Sequence, residues 1–407
     1  MPRFPGLAWM AEIWSEDRFG IYIHWPFCQS ICPYCAFNRR LHEAVDDNAW
    51  RDAYIDQIAS SFSELGRRKC ASVYFGGGTP SLMPPQTVES IIEAVSGACD
   101  LAPDAEITLE ANPTSSEARK FRDFRLAGVN RVSIGMQSLS DAGLAALGRT
   151  HDAAQARFAH DAARAVFENV SVDLMFGRQR QTPAQWELEL QQALGWGAPH
   201  MSLYQLTIEP DTAFARRLER QRLPGIPDED SLADMHRIAD ALCADAGYRH
   251  YEVSNFCRPG FEARHNLLYW RSRDWLGLGP GAHGRIELDG SRFATLATSS
   301  TTEWLALVQA TGCGEQERRS LDSEEVALEY LLMSLRLEEG MSHGRYLSLG
   351  GHRIDPRLIA ELVEDGLVLC REGRICATSH GRMLLNTVVG LLANRQTAFP
   401  NVDGLNP

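Results

Sequence analysis

The sequence predicts an α/β fold, a parallel and partly closed barrel of strand–helix units, followed by a small α+β domain of the winged-helix type. Six short apolar segments are typical of strands buried on both faces, and each is far enough from the next for a crossover helix. The expected strands are Gly20–Pro26, Ser72–Phe75, Glu106–Glu110, Arg131–Ser138, Val170–Phe176 and His200–Ile208. Successive units of this kind favour a barrel or open barrel over a sandwich, and they place functional residues at the carboxyl ends of the strands.

The stretches between the strands have helical apolar spacing, and the pattern changes beyond residue 290. The expected barrel helices are Asp46–Leu65, Pro85–Ala98, Ser116–Ala127, Ala153–Phe167 and Pro183–Trp196. The later segment predicts helices at Ser323–Leu337, Asp355–Asp365 and Gly381–Leu392, with a hairpin around Cys370 and Cys376. We therefore divide the chain into an N-terminal extension (1–19), a barrel domain (20–290) and a helical, winged-helix-like domain (291–407).

Composition limits the classes of partner. The 407 residues carry 40 basic and 53 acidic side chains, a net charge of -13, which excludes a generally basic surface for wrapping nucleic acid. The winged-helix-like segment is itself rich in acids, so no nucleic-acid partner is expected. No apolar run reaches the length of about 18 residues that suggests a membrane span, and the N-terminus lacks the apolar core of a secretory signal. We expect a cytoplasmic protein.

The cysteines divide into one dense group and a scattered remainder. Cys28, Cys32 and Cys35 form a C-x3-C-x2-C run directly after the first strand, where three thiolates can bind three irons of a [4Fe–4S] cluster and leave the fourth iron for a small molecule. A zinc site completed by His24 and His42 is the alternative. The spacing is typical of radical S-adenosylmethionine (SAM) enzymes. The scattered thiols are expected to be inert: Cys70, Cys99, Cys243, Cys257, Cys313, Cys370 and Cys376.

Glycines and polar residues follow the next strands. Gly76, Gly77 and Gly78 after the second strand would let the backbone approach a ligand closely. The later strands deliver carboxylate, amide and guanidinium groups to the same mouth, which suit an ammonium, ribose hydroxyls and a carboxylate. Taken singly, these groups could equally be caps or surface ion pairs. They are Glu110, Gln137, Asp173 and Arg149.

The motifs YIHWPFCQSICPYCAFN, VYFGGGTPSL, ITLEANP, GVNRVSIGMQS, LGRTH and SVDLMFG resemble oxygen-independent coproporphyrinogen III oxidase-like radical SAM proteins. The resemblance runs from about Ile21 to Arg285, continues weakly to about Leu392, and implies a partial (β/α)6 barrel. It implies that Cys28, Cys32 and Cys35 ligate the cluster. It also implies a SAM site lined by Tyr22, Tyr34, Gly77, Gly78, Thr79, Glu110, Gln137, Arg149, Asp173, Thr207 and His283, the last two on local alignment alone.

Two features separate the oxidases of this family from its HemW-type haem chaperones. The oxidases carry a further cysteine two positions after the third, and Phe37 occupies that position here. The second feature is the segment His265-Asn266-Leu267-Leu268-Tyr269-Trp270, which resembles the H-N-x-x-Y-W haem motif of the chaperones. An imidazole can ligate haem iron, and the two aromatic rings offer a flat apolar surface. Without the resemblance, His265 would be taken for a hydrogen-bonded polar residue.

The resemblance therefore implies a haem chaperone that binds a [4Fe–4S] cluster, SAM and haem. Its partners would be haem-accepting respiratory proteins and an electron donor, which leaves open a peripheral location at the inner membrane. The chaperone function does not require turnover, so the sequence leaves open whether SAM is cleaved. A porphyrinogen oxidase and an iron–sulfur scaffold without SAM chemistry are the alternatives. One departure from the family pattern is Arg178-Gln179-Arg180 after the fifth strand, which could alter the SAM pocket or offer cations to a propionate.

Overall fold

The computed structural model describes residues 18–43 and 45–393. Its main sheet has twelve strands. They are β1 (Arg18–Trp25), β2 (Lys69–Gly77), β3 (Asp100–Ala111), β4 (Arg131–Gln137), β5 (Asn169–Phe176), β6 (His200–Gln205), β7 (Arg249–Glu252), β8 (Asn255–Cys257), β9 (Trp275–Leu278), β10 (His283–Leu288), β11 (Ser291–Ala297) and β12 (Glu315–Ser320).

The strand order is β12-β11-β10-β9-β1-β2-β3-β4-β5-β6-β8-β7. All pairs from β9 to β6 are parallel, and the strands on both flanks pair antiparallel. The two ends of the sheet do not pair with each other in the described chain, so the barrel is open. This arrangement confirms the predicted partial barrel.

Helices pack against the sheet. In the barrel they are α1 (Asp47–Leu65), α2 (Pro85–Ala98), α3 (Ser115–Ala118), α4 (Phe121–Leu126), α5 (Asp141–Ala146), α6 (Ala153–Arg164), α7 (Pro183–Leu194), α8 (Ala213–Glu219), α9 (Glu229–Asp245), α10 (Arg264–Trp270) and α11 (Thr301–Thr311), with a 3-10 turn at Pro80–Leu82. Short polar caps begin many of them: Asp46, for example, accepts hydrogen bonds from the backbone of Asn48 and Ala49 at the start of α1. None of the described helices is both long and apolar enough to cross a bilayer.

The core lies between the strands and these helices. Ile21 and Ile23 of β1 are fully buried, as expected for a central parallel strand. On the α1 side, Trp50 stacks on Trp304 of α11 with ring centroids 5.1 Å apart. This aromatic contact joins the first helix to a segment late in the sequence. The sheet likewise combines early and late strands, since β9 lies beside β1.

Several details differ from the sequence prediction. β9 adds a seventh parallel strand beside β1; its four residues are too short a run between glycine-rich segments to stand out. The predicted helix Ser116–Ala127 is divided into α3 and α4. Arg18 and Phe19, assigned to the N-terminal extension, belong to β1, and residues 1–17 lie outside the described chain.

The predicted boundary at residue 290 falls in the turn between β10 and β11, because β11 and β12 continue the main sheet to Ser320. We therefore propose a division after Ser320. The segment beyond it has its own apolar cluster and a three-stranded sheet, in the helix–hairpin–helix order of a winged helix. Its elements are α12 (Ser323–Ser334), β13 (Met341–Ser342), α13 (His343–Ser348), α14 (Pro356–Glu364), β14 (Val368–Arg371), β15 (Arg374–Ala377), α15 (Ser379–Met383) and α16 (Leu385–Leu392).

Candidate functional site

The cysteine loop leaves the carboxyl end of β1 and is closed at its base by a short parallel pair between Phe27–Cys28 and Arg40–Leu41. The Cys35 backbone N–H donates to the Cys32 carbonyl at 3.2 Å, which folds the loop into a turn. Cys28 is buried, whereas Cys32 and Cys35 are half-buried. The pKa of the Cys28 thiol is raised to about 11, chiefly by burial and in part by the nearby thiols of Cys35 and Cys32. The three thiols are therefore electrostatic neighbours.

The loop does not have the arrangement of a single-ion site. Within residues 18–43 and 45–393, no three His, Cys, Asp or Glu side chains converge tightly enough to hold one metal ion. His24 is also committed elsewhere: its Nδ1 lies 3.0 Å from the Tyr22 hydroxyl and its Nε2 lies 2.8 Å from the Asn38 carbonyl oxygen. A cubane cluster takes one thiolate on each of several irons, so separated thiols suit a cluster better than zinc.

The glycine motif Gly76-Gly77-Gly78 packs against the start of the cysteine loop. Gly77 has φ +108°, and a Cβ there would lie 2.6 Å from the imidazole of His24. A Cβ on Gly78 would lie 2.8 Å from the carbonyl oxygen of Phe27. Thr79 is buried, its N–H donates to the same carbonyl, and its hydroxyl accepts from Asn112. These small residues are needed so that the loop can pack onto the end of β2, a structural role in addition to the predicted approach of a ligand.

Two carboxyl groups of the barrel, on β3 and β5, are close enough to interact electrostatically. Glu110 accepts hydrogen bonds from the Tyr74 hydroxyl at 2.8 Å and from the Gly77 N–H at 3.1 Å. Burial raises its pKa to about 7, and the charge of Asp173 raises it as well. Asp173 accepts from the hydroxyls of Ser133 and Ser171, each at 3.0 Å, while burial raises its pKa. A ligand cation placed between these groups would favour their ionised forms.

Arg149 links the polar strand ends to the cysteine loop. Its guanidinium donates to the Asn112 side chain at 2.7 Å, to the Gly135 carbonyl at 2.8 Å and to the Cys32 thiol at 3.5 Å. Gln137 stands at a bulge of β4 with φ 64°. Its Oε1 is buried and has no hydrogen-bond partner in the described chain, so this acceptor is free to take a hydrogen bond from a ligand.

The remaining residues of the predicted SAM site differ in their burial and in their contacts. Tyr22 and Tyr34 are half-buried beside the mouth, Tyr22 bonded to His24 and Tyr34 packed near Phe214 with ring centroids 6.2 Å apart. His283 stands at the start of β10; burial lowers the pKa of the His24 imidazole to about 4, and the charge of His283 contributes to that shift. Thr207 is exposed beyond β6, and its described hydrogen bond, 3.5 Å long, is to the Gln205 carbonyl.

The predicted haem histidine lies inside the barrel rather than at its surface. His265 is 1% exposed; its Nδ1 lies 2.8 Å from the Ser72 hydroxyl and its Nε2 lies 2.7 Å from the Tyr269 hydroxyl. The ring stacks on Tyr74 at 5.0 Å between centroids. Burial, together with the charge of Arg131, lowers the pKa of the imidazole to about 3, so the ring is neutral. Both nitrogens that could bind iron are engaged in this conformation.

The aromatic residues of this motif extend from His265 toward the C-terminal segment. Tyr269 follows His265 on the same side of α10, with ring centroids 4.7 Å apart. Trp270 instead belongs to an apolar cluster with Met333 and Leu337 of the C-terminal segment, and the Arg336 guanidinium lies 5.6 Å from its ring centroid. Asn266 is half-buried. Tyr269 also packs against this cluster, so it lies between His265 and the surroundings of Trp270.

Several residues of the site were not identified from the sequence. Arg131 is 2% exposed, and its Nε lies 3.9 Å from Glu106. After burial, its positive charge is the second cause of the lowered pKa of His265, and it opposes the rise that burial gives the pKa of Asp173. Tyr74 bridges the two regions by bonding Glu110 and stacking on His265. No local pattern marks these residues, because each has an ordinary place on a buried strand.

The structure shows what one of the two arginines in the departure Arg178-Gln179-Arg180 does. Arg178 is buried and forms an ion pair with Glu189 of α7, whose other oxygen accepts from the Leu139 N–H at 2.6 Å. It therefore braces the segment after β4 and is not available to a propionate. Arg180 is exposed, with φ 59°.

An open parallel barrel with a three-cysteine loop at the carboxyl end of β1 defines a radical SAM protein. The family described as the Radical SAM superfamily matches residues 22–192. The bovine protein named "Radical S-adenosyl methionine domain-containing protein 1, mitochondrial" is 38% identical over 402 residues, which cover 95% of this chain and 90% of the relative. "Heme chaperone HemW" of Escherichia coli K12 is 34% identical over 376 residues, 91% of this chain and 97% of the relative. The Mycobacterium tuberculosis H37Rv protein of the same name is 36% identical over 395 residues, 96% and 97% of the two chains.

The chain belongs to this family of HemW-like radical SAM proteins. Its fold is also that of the coproporphyrinogen III oxidase HemN from Escherichia coli, with a TM-score of 0.78 over 96% of this chain and 94% of the other. The sequence identity in that comparison is 20%, so the likeness concerns the fold alone.

Proposed function

We propose that this protein is a radical SAM-type haem chaperone, which holds a [4Fe–4S] cluster and SAM at the mouth of the barrel and passes haem to acceptor proteins. The observation that carries the proposal is the position of Arg149. Its guanidinium contacts the Cys32 thiol, the Gly135 carbonyl on β4, the strand of Gln137, and the Asn112 side chain, which follows β3 and its Glu110. A ligand that touches the cluster loop would therefore also meet this polar set.

The residues present fit the two cofactors. Cys28, Cys32 and Cys35 would hold the cluster, and Gln137 would meet SAM with its unpartnered acceptor. Glu110 and Asp173 would offset the positive charge of its amino group, and Arg149 would attract its carboxylate. When bound together, a cluster and SAM supply the chemistry of one-electron cleavage of a carbon–sulfur bond. The chaperone function does not depend on that cleavage.

The haem part of the proposal is supported by the likeness to proteins named heme chaperones and by the H-N-x-x-Y-W segment. For His265 to ligate haem iron, one of its two hydrogen bonds must open, and the bond to Tyr269 is nearer the end of α10. We propose that ligation, if it uses His265, follows such an opening. Asn266, Tyr269 and Trp270 would then be rearranged with it.

The partners follow from the same proposal. Haem is the cargo, and respiratory haem proteins at the inner membrane are the proposed acceptors, which the protein would meet from the cytoplasm as a peripheral partner. A small electron donor would reduce the cluster. The competing function, oxidation of coproporphyrinogen III, is less favoured because Phe37 stands where the oxidases carry a further cysteine; its ring is 41% exposed beside the loop.

The test is an anaerobic haem titration of the cluster-reconstituted protein, followed by its Soret absorbance. We expect saturable binding of haem, and no decarboxylation of coproporphyrinogen III when SAM and a reductant are present. Phe37→Cys is the matched variant for the oxidase alternative, since it restores the cysteine position of the oxidases. Absence of haem binding would reject the chaperone function, and robust decarboxylation by the unmodified protein would establish the oxidase instead.

A further inference from the structure

A second concave site lies on the outer side of the cysteine loop. It is a groove of about 410 Å³ between this loop, the end of α5 and the start of α8. Its walls combine polar groups with apolar side chains, and the apolar ones include Ile31, Pro33, Ala145 and Ala213. Ile31 is 47% exposed, so the groove extends an apolar surface that the protein leaves open. We refer to it as the outer groove.

Three arginines line the outer groove: Arg39, Arg216 and Arg217. One Arg39 donor bonds the Phe37 carbonyl, one Arg216 donor bonds the Asp211 carbonyl, and the Arg217 guanidinium lies 5.7 Å from the centroid of the Phe214 ring. In the part of the chain that the structure describes, none of the three forms an ion pair. Each guanidinium has five N–H donors, so most of them remain available.

The charge at this place is opposite to that of the whole chain. Asp211 is the one carboxylate that lines the groove, so three guanidinium groups face a single negative charge there. The chain as a whole has a net charge of -13. Apolar side chains beside an excess of positive charge match an amphiphilic ligand that carries carboxylates on a flat hydrocarbon body.

We propose that the outer groove is a porphyrin-binding subsite in which Arg216 and Arg217, with Arg39, bind the propionates of haem while the macrocycle lies against Ile31 and Pro33. This inference rests on the proposed haem-chaperone function and adds the place where the carboxylates are held. It does not depend on the residue that ligates the iron. It also accounts for haem access while both nitrogens of His265 are engaged inside the barrel.

The concave shape favours a small ligand over a protein. A volume of about 410 Å³ is within the usual range of ligand sites, roughly 300–1,000 Å³, and the open side leaves part of a macrocycle exposed for transfer to an acceptor. Bidentate contacts between guanidinium and carboxylate groups would fix the orientation of the ligand. An acidic protein docking on the same arginines is the competing occupant, and the experiment below separates the two.

The experiment uses metal-free protoporphyrin IX, because a ligand without iron isolates the contacts of the carboxylates and the ring from axial ligation. Its fluorescence anisotropy is followed in titrations with the cluster-reconstituted protein under anaerobic conditions. We expect Arg216→Ala together with Arg217→Ala to weaken binding about tenfold or more. The matched control is Arg220→Ala, an exposed arginine at the end of α8 that does not line the groove, and it should leave binding unchanged.

A ligand-side control uses the dimethyl ester of protoporphyrin IX, which lacks the carboxylates. It should bind more weakly than the free acid, and the double arginine variant should not weaken it further. If the double variant binds the free acid as tightly as the unmodified protein, the outer groove is not the subsite, and the chaperone function stands without it. If the unmodified protein binds neither haem nor protoporphyrin, the chaperone function itself fails.

Discussion

The cysteine loop and the H-N-x-x-Y-W segment are two sequence motifs that the structure treats in opposite ways. In the loop, Cys32 and Cys35 are half-buried, and Arg149 joins Cys32 to β4, where the Gln137 amide oxygen has no hydrogen-bond partner in the described chain. In the segment, His265 is 1% exposed and both of its nitrogens have protein partners. The comparison teaches that a motif predicts residue types, whereas availability depends on whether the rest of the fold has already satisfied their polar atoms.

The strongest way to break this comparison is to remove the loop thiols. Anaerobic reconstitution should give about four irons and four sulfides per chain, and replacing Cys28, Cys32 and Cys35 together by Ala should abolish the visible absorption of the cluster. The matched control is Cys370→Ala, which removes an exposed thiol elsewhere and should leave the absorption intact. A triple variant that retains the cluster would mean that other cysteines are the ligands.

A second test measures how firmly His265 is built into the barrel. His265→Ala removes a buried ring and leaves the hydroxyls of Ser72 and Tyr269 without their partner. The cost should be about 2–4 kcal/mol in the free energy of unfolding. Urea denaturation of cluster-free protein measures it. Cys35→Ala, in a half-buried loop, should cost less than about 1 kcal/mol by the same method. Equal costs for the two variants would contradict the difference drawn between the regions.

The third test concerns the polar set. Asp173→Ala should weaken SAM binding about tenfold or more while the cluster remains, because a hydrogen-bonded carboxylate near a ligand cation contributes roughly 1–3 kcal/mol. Isothermal titration calorimetry gives the affinity, and the visible absorption reports the cluster. Ser133→Ala is the control, since it removes one of the hydroxyls that donate to Asp173 but keeps the carboxylate. Unchanged affinity in Asp173→Ala would place SAM elsewhere.

The smallest expected effect is a pH dependence of SAM binding. The pKa of Glu110 is raised to about 7, so in the ligand-free protein its carboxyl is mostly protonated at pH 6 and mostly ionised at pH 7.5. Binding of a cationic amino group favours the ionised form, and SAM affinity should therefore rise about fivefold between these values. Glu110→Gln should remove this rise over the same interval. A rise that persists in Glu110→Gln would assign the titration to another group.

Much of the cysteine-loop region could be predicted because its signals are local. The thiols stand within eight positions of sequence, and each strand end carries its polar residue with it. Periodicity and spacing were therefore sufficient to predict where these residues lie in the fold. The haem segment shows the limit of this approach. The two hydrogen bonds of His265 reach partners 193 and 4 positions away, and the distant one, to Ser72, follows only from the packing of α10 against β2.

The sequence by itself determined the strand–helix succession, the cysteine loop and the polar strand ends, because short-range patterns encode them. Only the tertiary structure decided that β9 joins β1, that the sheet continues to Ser320, and that Trp270 faces the C-terminal segment. It also decided that Arg178 forms an ion pair with Glu189, whereas the arginines of the outer groove keep N–H donors available to a ligand. The physical reason is that a polar side chain or a short strand is satisfied by whichever partner the folded chain brings near, and residues far apart in sequence supply many of those partners.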